Sequence, residues 1–443
     1  MDIDQVQRSL KLRAQEAVEF ARKLGVEQAE AGISYDEGLT TTVRLGALES
    51  VERQRDHGFA VTVYAKGRKG TASTSECSKT SVEETVRKAI SIASFTSEDM
   101  YSGLADAELM AKKSPDLSLY HPWDIGVEQA ETIAYRAEQA AQGVDVRIKN
   151  SEGASVSTGS GLHVYANSHG FCDGYPTSSH SVSCGAVAEQ NGSLERDYWF
   201  TAARDPGELD SPEIIGKAAA SRALRRLGAR QISTRNAPVV FPAELARGLF
   251  AHLVSAISGT SQYRKASFLL NAKGDQIFPD FVDITEDPFI PKGMGSASFD
   301  NEGVATHNRK LVDQGVLSGY VLSSYSARRL GLQTTGNAGG IHNLIVQPNA
   351  GDLNSILEEK SELFLVGELL GQGVNIVTGD YSRGAAGFWV ENGKIAYPVH
   401  EVTIAGNLKD MFQGIRVIGS DMDMRSKILC GSVLVEGLTV AGT

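Results

Sequence analysis

The sequence predicts an α+β protein: an amino-terminal α/β portion followed by a large, mostly antiparallel β domain at the carboxy-terminal end. Three observations carry this. Amphipathic helical stripes alternate with β-rich runs through the first half of the chain. From residue 262 onward, short strands and turns dominate. Of 443 residues, 46 are Gly, which favours a turn-rich β component.

The elements follow in order. Ile3, Val6, Leu10, Ala14, Ala17, Val18, Ala21 and Leu24 form one helical stripe, and Gly25 stops it. Residues 39–75 read as strands, with Phe59 to Ala65 rich in β-formers before a turn at Lys66–Gly70. Ser81-Val82-Glu83-Glu84 reads as a capping box opening a helix to about Ala93. Thr96–Asp124 holds Pro115 and Pro122 and reads as an irregular connection. A helix over 126–142, ended by Gly143, leads into strands over 146–204. Ser211-Pro212-Glu213 starts the next helix, with a Ser cap, Pro at the first position and an acid in the first turn; it ends near Gly228. Val239-Val240-Phe241 is a short strand, Pro242–Ser258 an apolar helix, and a last helix lies near 353–360. The predicted segments are 1–110, 111–235 and 236–443.

Composition narrows the function. A net charge of −11 argues against nucleic acid as a direct partner. Met1-Asp2-Ile3-Asp4 lacks the basic and apolar regions of a signal peptide, and no run approaches a membrane-spanning length. Cys77, Cys172, Cys184 and Cys430 are too scattered for a disulfide framework. The expectation is a cytoplasmic protein with reduced thiols and no membrane partner.

The densest motif runs from Gly379-Asp380-Tyr381-Ser382-Arg383-Gly384-Ala385-Ala386-Gly387 through Phe388-Trp389-Val390-Glu391-Asn392-Gly393-Lys394 to Gly406-Asn407-Leu408. It reads as a glycine-dense loop, an aromatic strand, a turn at Asn392-Gly393, a second strand, and a third ending at Gly406-Asn407. This stretch closely resembles the carboxy-terminal signature of the TldD/PmbA family, and within it the PmbA (TldE) branch. The resemblance extends from about residue 30 to 442. It implies a two-subunit zinc protease enclosing a cavity, in which a TldD-like partner carries the metal and an unfolded or leader-type peptide lies as an added strand. Family roles include maturation of microcin-type peptides and degradation of an antitoxin, with the "modulator of DNA gyrase" label an indirect consequence.

In the metal-bearing branch, the strand and helix equivalent to Val239–Gly259 carry His-Glu-x-x-x-His. Two imidazoles hold zinc, and the carboxylate takes a proton from the metal-bound water. Aligned on the strand, the proline and Leu249-Phe250, this sequence places Ala251, His252 and Ala256 at those positions. A methyl group cannot ligate zinc, and His252 sits one position off, about 100° around the helix; it reads as a partly buried helix histidine. The family's third ligand, a cysteine followed by glycine, matches Cys430-Gly431, which alone reads as a small buried residue. The resemblance therefore implies no metal and no catalytic residue in this chain, with zinc in the partner subunit. The expected role is to shape the cavity and hold peptide substrate. Two alternatives stand beside it: a peptidase in its own right, built around Cys430 with His400 or His342, or a homodimeric peptide-binding protein.

Other constellations are weaker. His169, Cys172, His180 and Cys184 are four possible zinc ligands, but His180 and Cys184 fall on one strand face about 13 Å apart, too far for one ion. There is no Gly-x-Ser-x-Gly elbow or phosphate loop, and Gly371-Gln372-Gly373 lacks the rest of a nucleotide fingerprint. Glu195-Arg196-Asp197-Tyr198-Trp199 reads as a solvated strand face or a surface ion pair. Tyr263-Arg264, Tyr325 and Arg328, His342, and Tyr381 and Arg383 match the branch pattern. They read equally as cavity lining, as subunit contact, or as turn chemistry with a polar rim.

Overall fold

A computed structural model describes residues 3–442; Met1, Asp2 and Thr443, the outer ends of the predicted segments, lie outside them. In chain order the elements are α1 (Ile3–Lys23), β1 (Gln28–Arg44), β2 (Ala47–Ala65), β3 (Arg68–Thr74), α2 (Lys79–Phe95), α3 (Val127–Gln142), β4 (Ile148–Asn167), β5 (Cys172–Gln190), β6 (Ser193–Ala203) and α4 (Pro212–Arg226). The chain continues with β7 (Arg235–Phe241), α5 (Ala243–Ala256), α6 (Gly259–Tyr263), β8 (Ile284–Asp287), β9 (Arg309–Asp313), β10 (Val316–Leu317), α7 (Ser324–Leu330), β11 (Asn343–Val346) and α8 (Leu353–Leu357). It closes with β12 (Glu362–Leu370), β13 (Asp380–Glu391), β14 (Lys394–Asn407), α9 (Leu408–Gln413), β15 (Ile415–Ile418), β16 (Ile428–Leu429) and β17 (Val433–Ala441). The fold is α+β, as the sequence implied.

The first six strands form one antiparallel sheet, ordered β3-β2-β1-β4-β5-β6. The pairing of β1 with β4 joins residues from both sides of the irregular connection, Ile33 opposite Val164 and Val43 opposite Ala154. Alternate residues of these strands, such as Ala31, Ile33, Leu162 and Val164, turn to one face, and helices cover it. Helices α1 and α2 cover one half of it through Ala14, Ala17, Val18, Val82 and Val86. Helices α3 and α4 cover the other half with stripes of alanine. Small residues let these two helices approach closely: a Cβ on Gly216 would stand 1.9 Å from the Ala137 carbonyl oxygen.

The carboxy-terminal region holds two sheets, one ordered β10-β9-β8-β11-β16 and one ordered β14-β13-β12-β7-β17-β15. An extra pairing of β14 with β17 closes the second on itself. Among the named strands of the described residues, the β7–β12 and β11–β16 pairs are parallel and the rest antiparallel. Val239, Phe241, Phe364, Val366 and Trp389 face a large core shared with α5. Val240, Leu363, Leu365 and Phe388 face a smaller one under α8. At the β13–β14 hairpin, Asn392 and Gly393 take φ values of 50° and 77°, the left-handed pair that a two-residue turn needs.

Several local expectations are corrected. Helix α2 starts earlier, because Ser78 rather than Ser81 caps it by accepting from the Ser81 N–H. The sheet begins at Gln28, where small alternating residues pack under α1. The stretch from Asp380 is strand rather than loop, and the two strands read after the turn are one, β14. Residues 324–330 are a short helix, held by a box in which Ser323 and Ser326 cap each other. Asp197 is not on a solvated face: its side chain is 8% exposed and pairs with Arg222 at 3.2 Å, while Arg222 also reaches Glu244 at 2.9 Å. With Arg226 pairing to Glu368 at 2.6 Å, this network ties the sheet of β6 to the carboxy-terminal domain.

Candidate functional site

Helix α5 follows β7 after Pro242 and is wedged into the large core by Ala246, Leu249, Phe250, Leu253 and Ala256. Ala251 is partly buried against the same core, and Ala256 is fully buried. His252 points out of that core into a cleft of about 290 Å³, walled by Gly371, Gln372, Val374, Ile376 and Arg383. Its ring meets Tyr381 edge-on, with centroids 6.2 Å apart. Tyr381 and Arg383 alternate along β13 and so share its helix-facing side.

The electrostatics of this cleft are one-sided. Burial pushes the His252 pKa below its ordinary value, and the Arg383 charge adds to the effect, so the ring is neutral near pH 7. Burial pushes the Tyr381 hydroxyl up to about 12 against the opposing pull of Arg383. Arg383 donates from Nη2 to the Leu369 carbonyl at 3.3 Å, while its Nε is buried without a hydrogen-bond partner.

The residues do not fit a zinc ion. Cys430 is fully buried, and its Sγ lies 3.8 Å from the Ala243 carbonyl, at the start of α5. Ala251 is eight residues on, about 12 Å along a helix. Burial holds the Cys430 pKa far above the ordinary thiol range, so the group is a neutral thiol in this structure. No three His, Cys, Asp or Glu side chains converge on a metal position among the described residues. His180 is engaged by Thr158 and the His121 carbonyl, each at 2.8 Å. Cys172 packs against the α1–α2 core, whereas Cys184 belongs to the α3–α4 core. The histidines of the alternative reading are engaged elsewhere: His342 Nε2 is bonded to the Gly336 carbonyl at 2.9 Å, and the His400 backbone N–H donates to the Arg230 carbonyl at 3.3 Å.

The other sequence candidates form a second group. Tyr263 and Tyr325 meet edge-on at 5.9 Å, Arg264 lies over Tyr263, and Arg329 bridges Tyr263 to Tyr101. Tyr325 donates to Asp99 at 2.8 Å. Arg328 donates to the carbonyls of Tyr101, Gly103 and Leu104 and pairs with Asp106 at 3.0 Å. These side chains dock the 96–124 connection onto α6 and α7. Gly371-Gln372-Gly373 was weighed from sequence only as a nucleotide loop, and Val374 and Ile376 were not singled out, yet this loop forms the cleft wall.

Domain models described as PmbA/TldA metallopeptidase domain 1, central domain and C-terminal domain match residues 29–93, 120–227 and 234–442. The chain therefore belongs to the TldD/PmbA metallopeptidase family. It falls in the PmbA/TldE branch. It is 47% identical to Metalloprotease PmbA of Escherichia coli O157:H7 over 99% of this chain and 98% of that protein. It is 45% identical to a Metalloprotease PmbA homolog of Haemophilus influenzae over 96% and 94%. By contrast, identity to a Metalloprotease TldD homolog of Buchnera aphidicola is 23%, over 88% of this chain and 87% of that one. The crystal structure of a proposed modulator of DNA gyrase from Bacteroides thetaiotaomicron superposes with a TM-score of 0.92 at 27% identity, over 98% of this chain and 99% of that one. TldE from Thermococcus kodakarensis shares the fold, with a TM-score of 0.85 at 20% identity over 97% of this chain and 100% of that one.

Proposed function

We propose that this chain is the metal-free subunit of a two-chain zinc peptidase, acting in the cytoplasm beside a TldD-like, zinc-bearing partner. It shapes the cavity and holds an unfolded or leader-type peptide while the partner's zinc supplies the hydrolytic chemistry. The observation that carries this reading is the pair Ala251 and Ala256 on α5, with Cys430 buried at the far end of the same helix. Branch membership and the naming of close relatives as metalloproteases support a role in proteolysis. No helix among the described residues is long and apolar enough to cross a membrane, and all four cysteines are free thiols, in keeping with a reducing compartment.

In this role the chain's own residues bind and orient. The cleft of His252, Tyr381 and Arg383 offers an aromatic wall, a neutral imidazole and a guanidinium to a passing chain. The test is cleavage of an unstructured peptide by this chain alone, by the partner alone, and by the mixture. Cleavage appearing only in the mixture is expected. Chelator-sensitive cleavage by this chain alone would refute the proposal.

A further inference from the structure

The part-buried arginines of this protein are mostly neutralised. Arg222, Arg226, Arg309 and Arg425 each reach a carboxylate within 3.5 Å. Arg204, which has no carboxylate, donates to three backbone carbonyls, those of Ser178, Gly293 and Met294. Arg383 differs from both patterns. A guanidinium carries several N–H donors in a rigid fork, and here one donates to the Leu369 carbonyl while Nε is buried with nothing to meet it. The other groups around it are also without negative charge: His252 across the cleft, Tyr381 beside it on β13, and the neutral Gln372, Val374 and Ile376 on the wall. A buried donor left without a partner is costly to the fold, and a structure keeps one only where the guanidinium has other work. A concave site with an uncompensated, forked cation is built for a planar two-oxygen anion.

We propose that the cleft at Arg383, Gln372 and His252 is a carboxylate-recognition subsite for the bound peptide, receiving either an acidic side chain or the peptide's terminal carboxylate. This deepens the peptide-holding role proposed above and rests on it. The guanidinium fork holds the two oxygens, the Gln372 amide lies on the same wall as a further donor, and the Tyr381 and Ile376 surfaces exclude water from the pair. The subsite selects which peptides dwell in the cavity and in what register.

The test is fluorescence anisotropy with the full chain and four fluorescein-labelled versions of one short unstructured peptide: with a free terminal carboxylate only, with an internal Glu and an amidated end, with both, and with neither. The expected result is that the uncharged version binds about tenfold or more weakly than the best carboxylate version. The two single-carboxylate peptides identify the source. Arg383→Gln should abolish the preference. If that variant fails to fold, the comparison among the four peptides on the unaltered chain still decides, and Arg383→Lys should retain a weakened preference. Equal binding of all four peptides, or a preference that survives Arg383→Gln, would overturn the subsite while leaving the peptide-holding role intact. Unaltered peptide binding with lost association to the TldD-like partner would assign the cation to a subunit contact and also overturn it. Binding of none of the peptides would remove both the subsite and the peptide-holding role.

Discussion

His252 stores a pH dependence. Its depressed pKa means that the unfolded chain binds the proton more readily than the folded one. Its contribution to stability is therefore fully present above the unfolded value of about 6.5 and is lost as pH falls through the lower folded value. His180, also depressed by burial, adds in the same direction. Thermal melts from about pH 7.5 to about pH 5 should show a falling midpoint, and His252→Gln should make that fall shallower without removing it. A fall as steep as in the parent chain would contradict the burial of a neutral His252. Ala256 gives a second prediction. It is fully buried beside Leu253 and Ile257, so Ala256→His overfills the core and should lower the unfolding free energy by about 1–3 kcal/mol in a urea titration. Placing an imidazole there thus costs stability before it can bind anything. That Ala251 and Ala256 cannot ligate a metal was legible from residue type alone. The neighbours of His252 were not, because Gln372 and Arg383 come to it through strand pairing from far along the chain.

At the level of elements, close approach explains two joints. Gly216 lets α3 and α4 meet backbone to backbone, and Gly216→Ala must push them apart or shift Ala137. The expected loss is about 1–3 kcal/mol by denaturant unfolding; an unchanged midpoint would mean the helices are not held this closely. Arg328 fastens the irregular connection to α7 through the carbonyls of Tyr101, Gly103 and Leu104. Arg328→Ala should expose that connection, so trypsin should cut at Lys112 or Lys113 sooner than in the parent chain, as read by gel and mass spectrometry. Equal cutting rates would place the fastening elsewhere. Local chemistry made several elements readable: the Ser211-Pro212 start of α4, the Gly143 stop of α3, and the Asn392-Gly393 turn. Helix α7 was unreadable because its sequence is short and polar, and its start depends on the reciprocal Ser323–Ser326 cap rather than on an apolar stripe. Helix α2 was misplaced by three residues for a related reason: Ser78 and Ser81 both suit a cap, and only the geometry chooses between them.

At the scale of the whole molecule, the first six strands act as one platform, and the carboxy-terminal domain is locked to it through Arg222, Arg226, Arg328 and Arg425. Long-range pairing such as β1 with β4 leaves no local trace, which is why the common sheet could not be read from the chain while its separate strands could. Helix α5 packs into the large carboxy-terminal core through its apolar face, and the cleft beside it presents a neutral imidazole and a guanidinium with an unpartnered Nε. In the proposed division of labour, this chain supplies shape and binding while its partner supplies zinc. This division is tested most directly by the metal content of the purified full chain, alone and after assembly with a TldD-like partner, measured by mass spectrometry. The expected result is no stoichiometric zinc in the chain alone and one zinc ion for each assembled pair. Stoichiometric zinc retained by the chain alone would contradict it.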